Sequence, residues 1–166
     1  MITYDQFFAQ WNGKPCEVSD PTNPNQCMDL AFAWCDALEI PRVAIAHLYA
    51  YQVYTQPIES TYLTFYRIPN TPNAIPKQGD LIVWNYTYNG TAGHIGVCTG
   101  RADLKTFDAF EQNDPLKSVC HVKGYDYNNV LGWLRPLALT NSNCQQYMDQ
   151  IKGLQIKIDA AKTALG

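Results

Sequence analysis

Residues 27–40 read CMDLAFAWCDALEI, and they follow EVSDPTNPNQ, a stretch too rich in Pro and Asn to be helical. Cys27, Leu30, Ala31, Trp34, Cys35 and Leu38 recur at offsets of 3, 4, 7, 8 and 11. That is the spacing of one helical face, so the segment predicts a helix with a buried apolar side, opening at Cys27 and stopped by Pro41. A cysteine in the first turn of a helix sits against amide N–H groups without intrahelical partners and against the positive end of the helix dipole. Both favour a thiolate, and both can hold an oxyanion. The position suits a nucleophile.

Working outward, residues 4–11 predict a short helix that buries Phe7, Phe8 and Trp11, followed by a loop enforced by Gly13, Pro15, Pro21 and Pro24. Residues 44–55, AIAHLYAYQVYT, predict a further helix before Pro57. Beyond it the pattern changes to short β-branched and aromatic runs separated by turn residues: YLTFYRI, DLIVWNY, HIGVCTG, KTFDAF, SVCHVKG and VLGWLRP. Helices first and strands afterward, without βαβ alternation, indicate an α+β domain with N-terminal helices packed on a five- to six-stranded antiparallel sheet. The domain is expected over residues 1–137. Residues 138–166 carry sparse apolar positions at near-heptad spacing, which predict a helix docked on the domain or opening a linker, with self-association through it as the alternative.

The chain of 166 residues suffices for one ordinary domain, and its 46% hydrophobic content, with eleven Tyr and four Trp, supplies a core. Charged residues make up only 16% and the net charge of -3 is not concentrated in any block, which argues against a nucleic-acid partner. No apolar run approaches the roughly 20 residues of a membrane helix, so no membrane partner is expected. The amino terminus MITYDQFFAQW lacks the basic start and small-residue cleavage pattern of a secretory signal. Six cysteines, Cys16, Cys27, Cys35, Cys98, Cys120 and Cys144, lack close metal-type pairs and are expected mostly as free thiols, with a disulfide at Cys16 left open.

Hydrolysis of an amide by a thiol needs a base, a group that orients the base, and donors for the tetrahedral oxyanion. His94 in TAGHIGV enters a strand directly after a glycine turn and is the candidate base. Glu111 and Asn113 follow in FDAFEQND, and a period of two would put both on one side of the chain, facing the same imidazole. Alone, a buried Cys more often packs a core and a solitary His more often serves as an ordinary polar residue. Their combination points to a nucleophile and its base. His47 and His121 have no partner at metal-ligand spacing and are assigned core or surface roles, Cys35 is read as a small buried hydrophobe, and Trp84 and Trp133 as core.

NQCMDLAFAW, PKQGDLIVW, GHIGV and FEQN together resemble the CHAP amidase/peptidase domains of bacteriophage endolysins and bacterial autolysins, over roughly residues 4 to 137. The resemblance implies a papain-like fold and an enzyme acting on bacterial peptidoglycan; the chain is expected to be a monomer. The bond would be the one joining N-acetylmuramic acid to L-alanine, or one within the stem peptide or cross-bridge. It implies Cys27 as nucleophile, His94 as base, Glu111 as orienting acid and Asn113 as a further orienting amide. The Cys27 backbone N–H would be one oxyanion donor, with Asn25 and Gln26 as candidates for the second. It also implies a phage lysin held in the host cytoplasm until holin-dependent release, or carried in the virion. Several phage members bind calcium in the loop before the cysteine. By that resemblance Asp20 and Asp29 are the candidate ligands here, with carbonyls near Thr22 and Pro24. Where those relatives carry a further upstream acid this chain has Val18, with Glu17 beside it. A dication there would offset the negative charge that Asp20 and Asp29 place near a Cys27 thiolate. Two other classes are compatible: a wall-binding or tail-structural module of the same fold, and a papain-like amidase acting on a small soluble conjugate.

Overall fold

The computed structural model describes residues 1–19, 22–23, 25–88 and 90–140, and divides the chain into compact units Met1–Pro136 and Leu137–Gly166. In the first unit, α1 spans Tyr4–Trp11 and begins with a capping box. The Gln6 N–H donates to Thr3 Oγ1 at 3.2 Å, and the Thr3 N–H donates to Gln6 Oε1 at 2.9 Å. Of the three aromatics expected inside, Phe7 is fully buried, while Phe8 and Trp11 lie half-buried at the rim. Helix α2 spans Cys27–Ala37, with Leu30, Ala31, Trp34 and Cys35 buried as the offsets require. Its first turn has no side-chain cap, so the amides behind Cys27 are left for other partners.

The continuous helix expected over residues 44–55 does not form. A 3-10 turn occupies Arg42–Ile45, and helix resumes only over α3, Gln52–Thr55. Backbone groups that a continuous helix would use internally are taken by distant parts of the chain: Ala44 O accepts the Thr61 hydroxyl at 2.6 Å, and the Tyr51 N–H reaches Ala92 O at 3.3 Å. Tyr62 to Thr64, read from the sequence as the start of a strand, close α4, Glu59–Thr64, instead; the Thr64 hydroxyl bonds back to Ser60 O at 2.7 Å.

All six apolar runs form strands: β1 Phe65–Pro69, β2 Leu81–Trp84, β3 His94–Ala102, β4 Thr106–Glu111, β5 His121–Asp126 and β6 Val130–Pro136. They make one antiparallel sheet in the order β1-β6-β2-β3-β4-β5. Alternation along β2 sends Leu81 and Val83 into the core shared with Phe7, Leu30 and Trp34. Ile82 and Trp84 enter a second core on the other face, with Phe107, Tyr125 and Trp133. The α2 helix lies against β3, which carries Cys27 toward the start of that strand.

Two buried polar links hold this arrangement. Trp34 Nε1 donates to Gly79 O at 2.9 Å, tying α2 to the turn before β2. In the same PKQGD turn, Asp80 is wholly buried, accepts the Lys77 N–H at 2.8 Å, and forms a two-pronged pair with Arg135 of β6 at 3.0 and 2.7 Å. Cys16, Cys27, Cys35, Cys98 and Cys120 are free thiols. Residues Leu137–Leu139 of the second unit form a single 3-10 turn; the expected helix of the terminal segment falls on residues 141–166, outside the described residues.

Candidate active site

The turn that delivers His94 requires glycine. Gly93 has φ +68°, and a side-chain carbon there would lie 2.7 Å from Trp84 O and 2.9 Å from Tyr51 Cβ. His94 is the first residue of β3, paired in register with Trp84, and its ring is almost wholly enclosed, with the rings of Trp84 and Tyr88 at 5.2 and 5.9 Å. Cys27, the first residue of α2, retains 9% exposure and lies within hydrogen-bonding reach of His94.

Glu111 ends β4 fully buried, with Oε2 3.1 Å from His94 Nε2. The ring N–H is not aligned with the carboxylate oxygen, so the contact is ionic rather than a well-formed hydrogen bond. Gly96 makes room for it, since a side-chain carbon at that position would stand 3.1 Å from Glu111 Cβ. Three residues from α2, β3 and β4 therefore converge as the sequence pattern expects. Burial is the largest influence on His94 and disfavours its charge, but its close contacts with Cys27 and Glu111, together with their negative charge, overcome it and raise the imidazole to about 9.

Asn113 departs from the expected alternation. The strand ends at Glu111 and Asn113 adopts φ 72°, so a period of two no longer sets its direction. Its Oδ1 accepts the Lys117 N–H at 2.7 Å and its N–H donates to Ser118 O at 3.1 Å, closing the loop after β4. Of the two side chains considered as second oxyanion donors, Asn25 Nδ2 donates to Lys117 O at 3.0 Å and Gln26 Nε2 to Asn23 Oδ1 at 3.2 Å.

Sequence reasoning passed over three residues. Gln112, fully buried between Glu111 and Asn113, accepts the Cys16 N–H at 2.9 Å and donates to Cys16 O at 2.8 Å and to Gln26 O at 2.7 Å. The alternation that directs Glu111 to one side directs Gln112 to the other, and that was its available signal. Asp114 accepts bonds from the hydroxyls of Tyr88 and Tyr125 at 2.6 and 2.9 Å and from Lys123 Nζ at 2.8 Å. Burial works against its charge, but these donors and the nearby His94 hold the carboxyl down at about 2. His121, set aside as core or surface, lies with Nε2 2.9 Å from Glu111 Oε1. Its signal was hidden in strand register.

The candidate calcium ligands are dispersed in their uses. Asp29 is fully buried; its Oδ1 accepts the N–H and hydroxyl of Ser19 and the N–H of Val18, while Oδ2 has no hydrogen-bond partner among the described residues. That open oxygen suits a cation. Glu17 Oε1 instead accepts the Asn25 N–H, Thr22 has an interaction of its own, and Asp20 and Pro24 lie outside the described residues. Among the described residues no group of three or more His, Cys, Asp or Glu side chains forms a metal cluster, and no helix is long and apolar enough to cross a membrane.

A comparison with curated proteins finds no match. Among solved structures, the wild-type endolysin LysIME-EF1 superposes with a TM-score of 0.61 at 25% identity, over 82% of this chain and 65% of that one. Ly7917 superposes with a TM-score of 0.52 at 14% identity, over 67% of this chain and 53% of that one, a likeness of fold. This chain thus spans only part of the length of either. The model of the CHAP domain family matches residues 18–113, more than half of the chain, from the loop before Cys27 through His94 and Glu111 to Asn113. On that extent of match, carried by the α+β framework just described, the chain belongs to the CHAP domain family.

Proposed function

We propose that the protein is a cysteine hydrolase that cleaves an amide bond of bacterial peptidoglycan, serving as the catalytic part of a phage lysin. The convergence of Cys27, His94 and Glu111 from three separate elements carries this reading, with the cysteine at a helix start. His94 draws the proton from Cys27, and Glu111 stabilises the resulting imidazolium. The thiolate attacks the amide carbonyl, and the oxyanion that forms is held by the Cys27 backbone N–H at the uncapped end of α2. His94 then returns its proton to the departing amine, leaving a thioester. The same imidazole deprotonates a water that releases the acid product and restores the thiol. Asn113 serves by fixing the loop that follows Glu111.

A glycan-bearing substrate is supported by the surface beside His94. Tyr49, Tyr51 and Tyr86 adjoin one another with ring centroids 6.0 and 6.1 Å apart, and Tyr51 packs against the Gly93 turn. Tyr49 and Tyr86 are exposed, and flat faces with hydroxyl rims of this kind suit sugar rings. Calcium enters the proposal as a ligand of the loop before Cys27, held by Asp29 Oδ2 with Asp20 and the carbonyls near Thr22 and Pro24. It would supply positive charge near the nucleophile and order to the loop.

Clearing of a suspension of purified bacterial walls tests the activity. Wild-type protein is expected to clear it, and Cys27→Ala and Cys27→Ser are expected not to; clearing by either variant overturns the mechanism. Mass spectrometry of the digest identifies the bond, as a new N-terminal alanine or an internal peptide end. For calcium, EGTA is expected to lower both Tm and clearing rate, with recovery on adding excess calcium; no change in either removes the metal from the proposal.

A further inference from the structure

The buried carboxylate of Glu111 carries two imidazoles. Glu111 and His121 are direct cross-strand partners in the β4-β5 register. His121 Nε2 stands 2.9 Å from Oε1 while His94 Nε2 stands 3.1 Å from Oε2. Among the described residues these rings are the ionic partners of Glu111. Its oxygens make no aligned hydrogen bond, so what holds the carboxylate is charge and proximity.

His121 is oriented for this contact from its other side. Its Nδ1 lies 2.8 Å from Val119 O, so each ring nitrogen faces an oxygen acceptor. A neutral imidazole can donate at only one nitrogen, whereas the imidazolium donates at both. The side chain is one-third exposed, whereas Glu111 and His94 are enclosed. The neighbouring charged groups are committed elsewhere: Lys123, two residues along β5, pairs with Asp114, which also receives Tyr88 and Tyr125. Cys120, beside His121, donates to Gln112 Oε1 at 3.2 Å, and Cys16 lies against that same thiol.

We infer that His121 is a positioning residue for the hydrolytic site: it holds Oε1 of Glu111 so that Oε2 is presented to His94, which in turn faces Cys27. This rests on the reading of Cys27 and His94 as nucleophile and base. A wholly buried carboxylate with one oxygen facing nothing is costly, and without His121 it turns toward whatever donor remains. The imidazolium of His94 then loses the alignment of its counter-charge, and the thiolate that depends on it becomes scarcer.

Alkylation of Cys27 by iodoacetamide, followed by mass spectrometry of its peptide, tests this alongside the wall-clearing rate and Tm. His121→Leu keeps bulk without a donor, and His121→Gln keeps one N–H that can reach Glu111. His121→Leu is expected to slow both alkylation and clearing about tenfold at neutral pH, the scale of leaving a buried charged group without one of its polar partners. His121→Gln is expected to stay within about threefold of wild type on the same scale, and KM for the wall substrate is expected to be the same in all three. Wild-type rates in His121→Leu, or rates in His121→Gln as low as in His121→Leu, overturn the inference. Failure of the underlying reading looks different, as an unreactive Cys27 in the wild-type protein together with clearing by Cys27→Ala.

Discussion

Gln112 Nε2 donates to Gln26 O at 2.7 Å, joining the residue after Glu111 to the residue before Cys27. One side chain thereby couples the carboxylate strand to the nucleophile's helix, and two further bonds to Cys16 hold the entering loop in place. Gln112→Ala leaves buried backbone groups of Cys16 and Gln26 without partners, and a loss of about 3 kcal/mol is expected in urea denaturation. Gln112→Glu can still accept from Cys16 but cannot donate to Gln26 O. It is expected to lose clearing activity as well, because the start of α2 is released.

The raised His94 imidazole makes stability fall on the alkaline side. Unfolded, the ring titrates near its ordinary 6.5; folded, it holds its proton up to about 9, burial being outweighed by Cys27 and Glu111. The contribution is therefore complete below pH 6.5 and disappears as pH rises through about 9. Urea midpoints between pH 6 and 10 are expected to drop across that window in wild-type protein and not in His94→Ala. Clearing activity, which needs the imidazolium to protonate the departing amine, is expected to decline over the same range. Glu111→Gln removes one of the supports and is expected to move the decline to lower pH.

Asp80 and Arg135 join the turn before β2 to β6 inside the protein. Asp80→Asn strands the guanidinium against a neutral partner, and a loss of about 3 to 5 kcal/mol is expected. Combining it with Arg135→Leu is expected to recover part of that loss, as a double-mutant cycle by chemical denaturation measures.

Two glycines separate stability from catalysis. Gly93→Ala forces a left-handed φ on alanine and drives its methyl against Trp84 O, a backbone atom that cannot move aside. Loss of folding at 37 °C is expected. Gly96→Ala meets Glu111 Cβ at 3.1 Å, a contact that a shift of a few tenths of an ångström relieves. It is expected to lower the clearing rate by about tenfold with about 1 kcal/mol of stability lost, the cost of mild overpacking.

Some features of the site were legible because they are local. The cysteine at a helix start follows from Pro- and Asn-rich residues giving way to a 3.6-residue apolar period, and the six strands follow from their turn-bounded β-branched runs. The segment 44–55 has the apolar content of a helix but forms no continuous one, because Thr61 and Ala92 claim its backbone groups from elsewhere in the chain. Asn113 was placed by alternation, and a left-handed backbone just past the strand end cancelled it.

By itself the sequence determined the helix that begins at Cys27, the glycine turn before His94, the strand that leads to Glu111, and an α+β order of elements, because backbone propensity and periodic burial are properties of neighbouring residues. Only the tertiary structure decided that His121 would share Glu111 with His94 and that Gln112 would tie Cys16 to Gln26. Those contacts depend on strand register and loop closure, which are set by long-range packing.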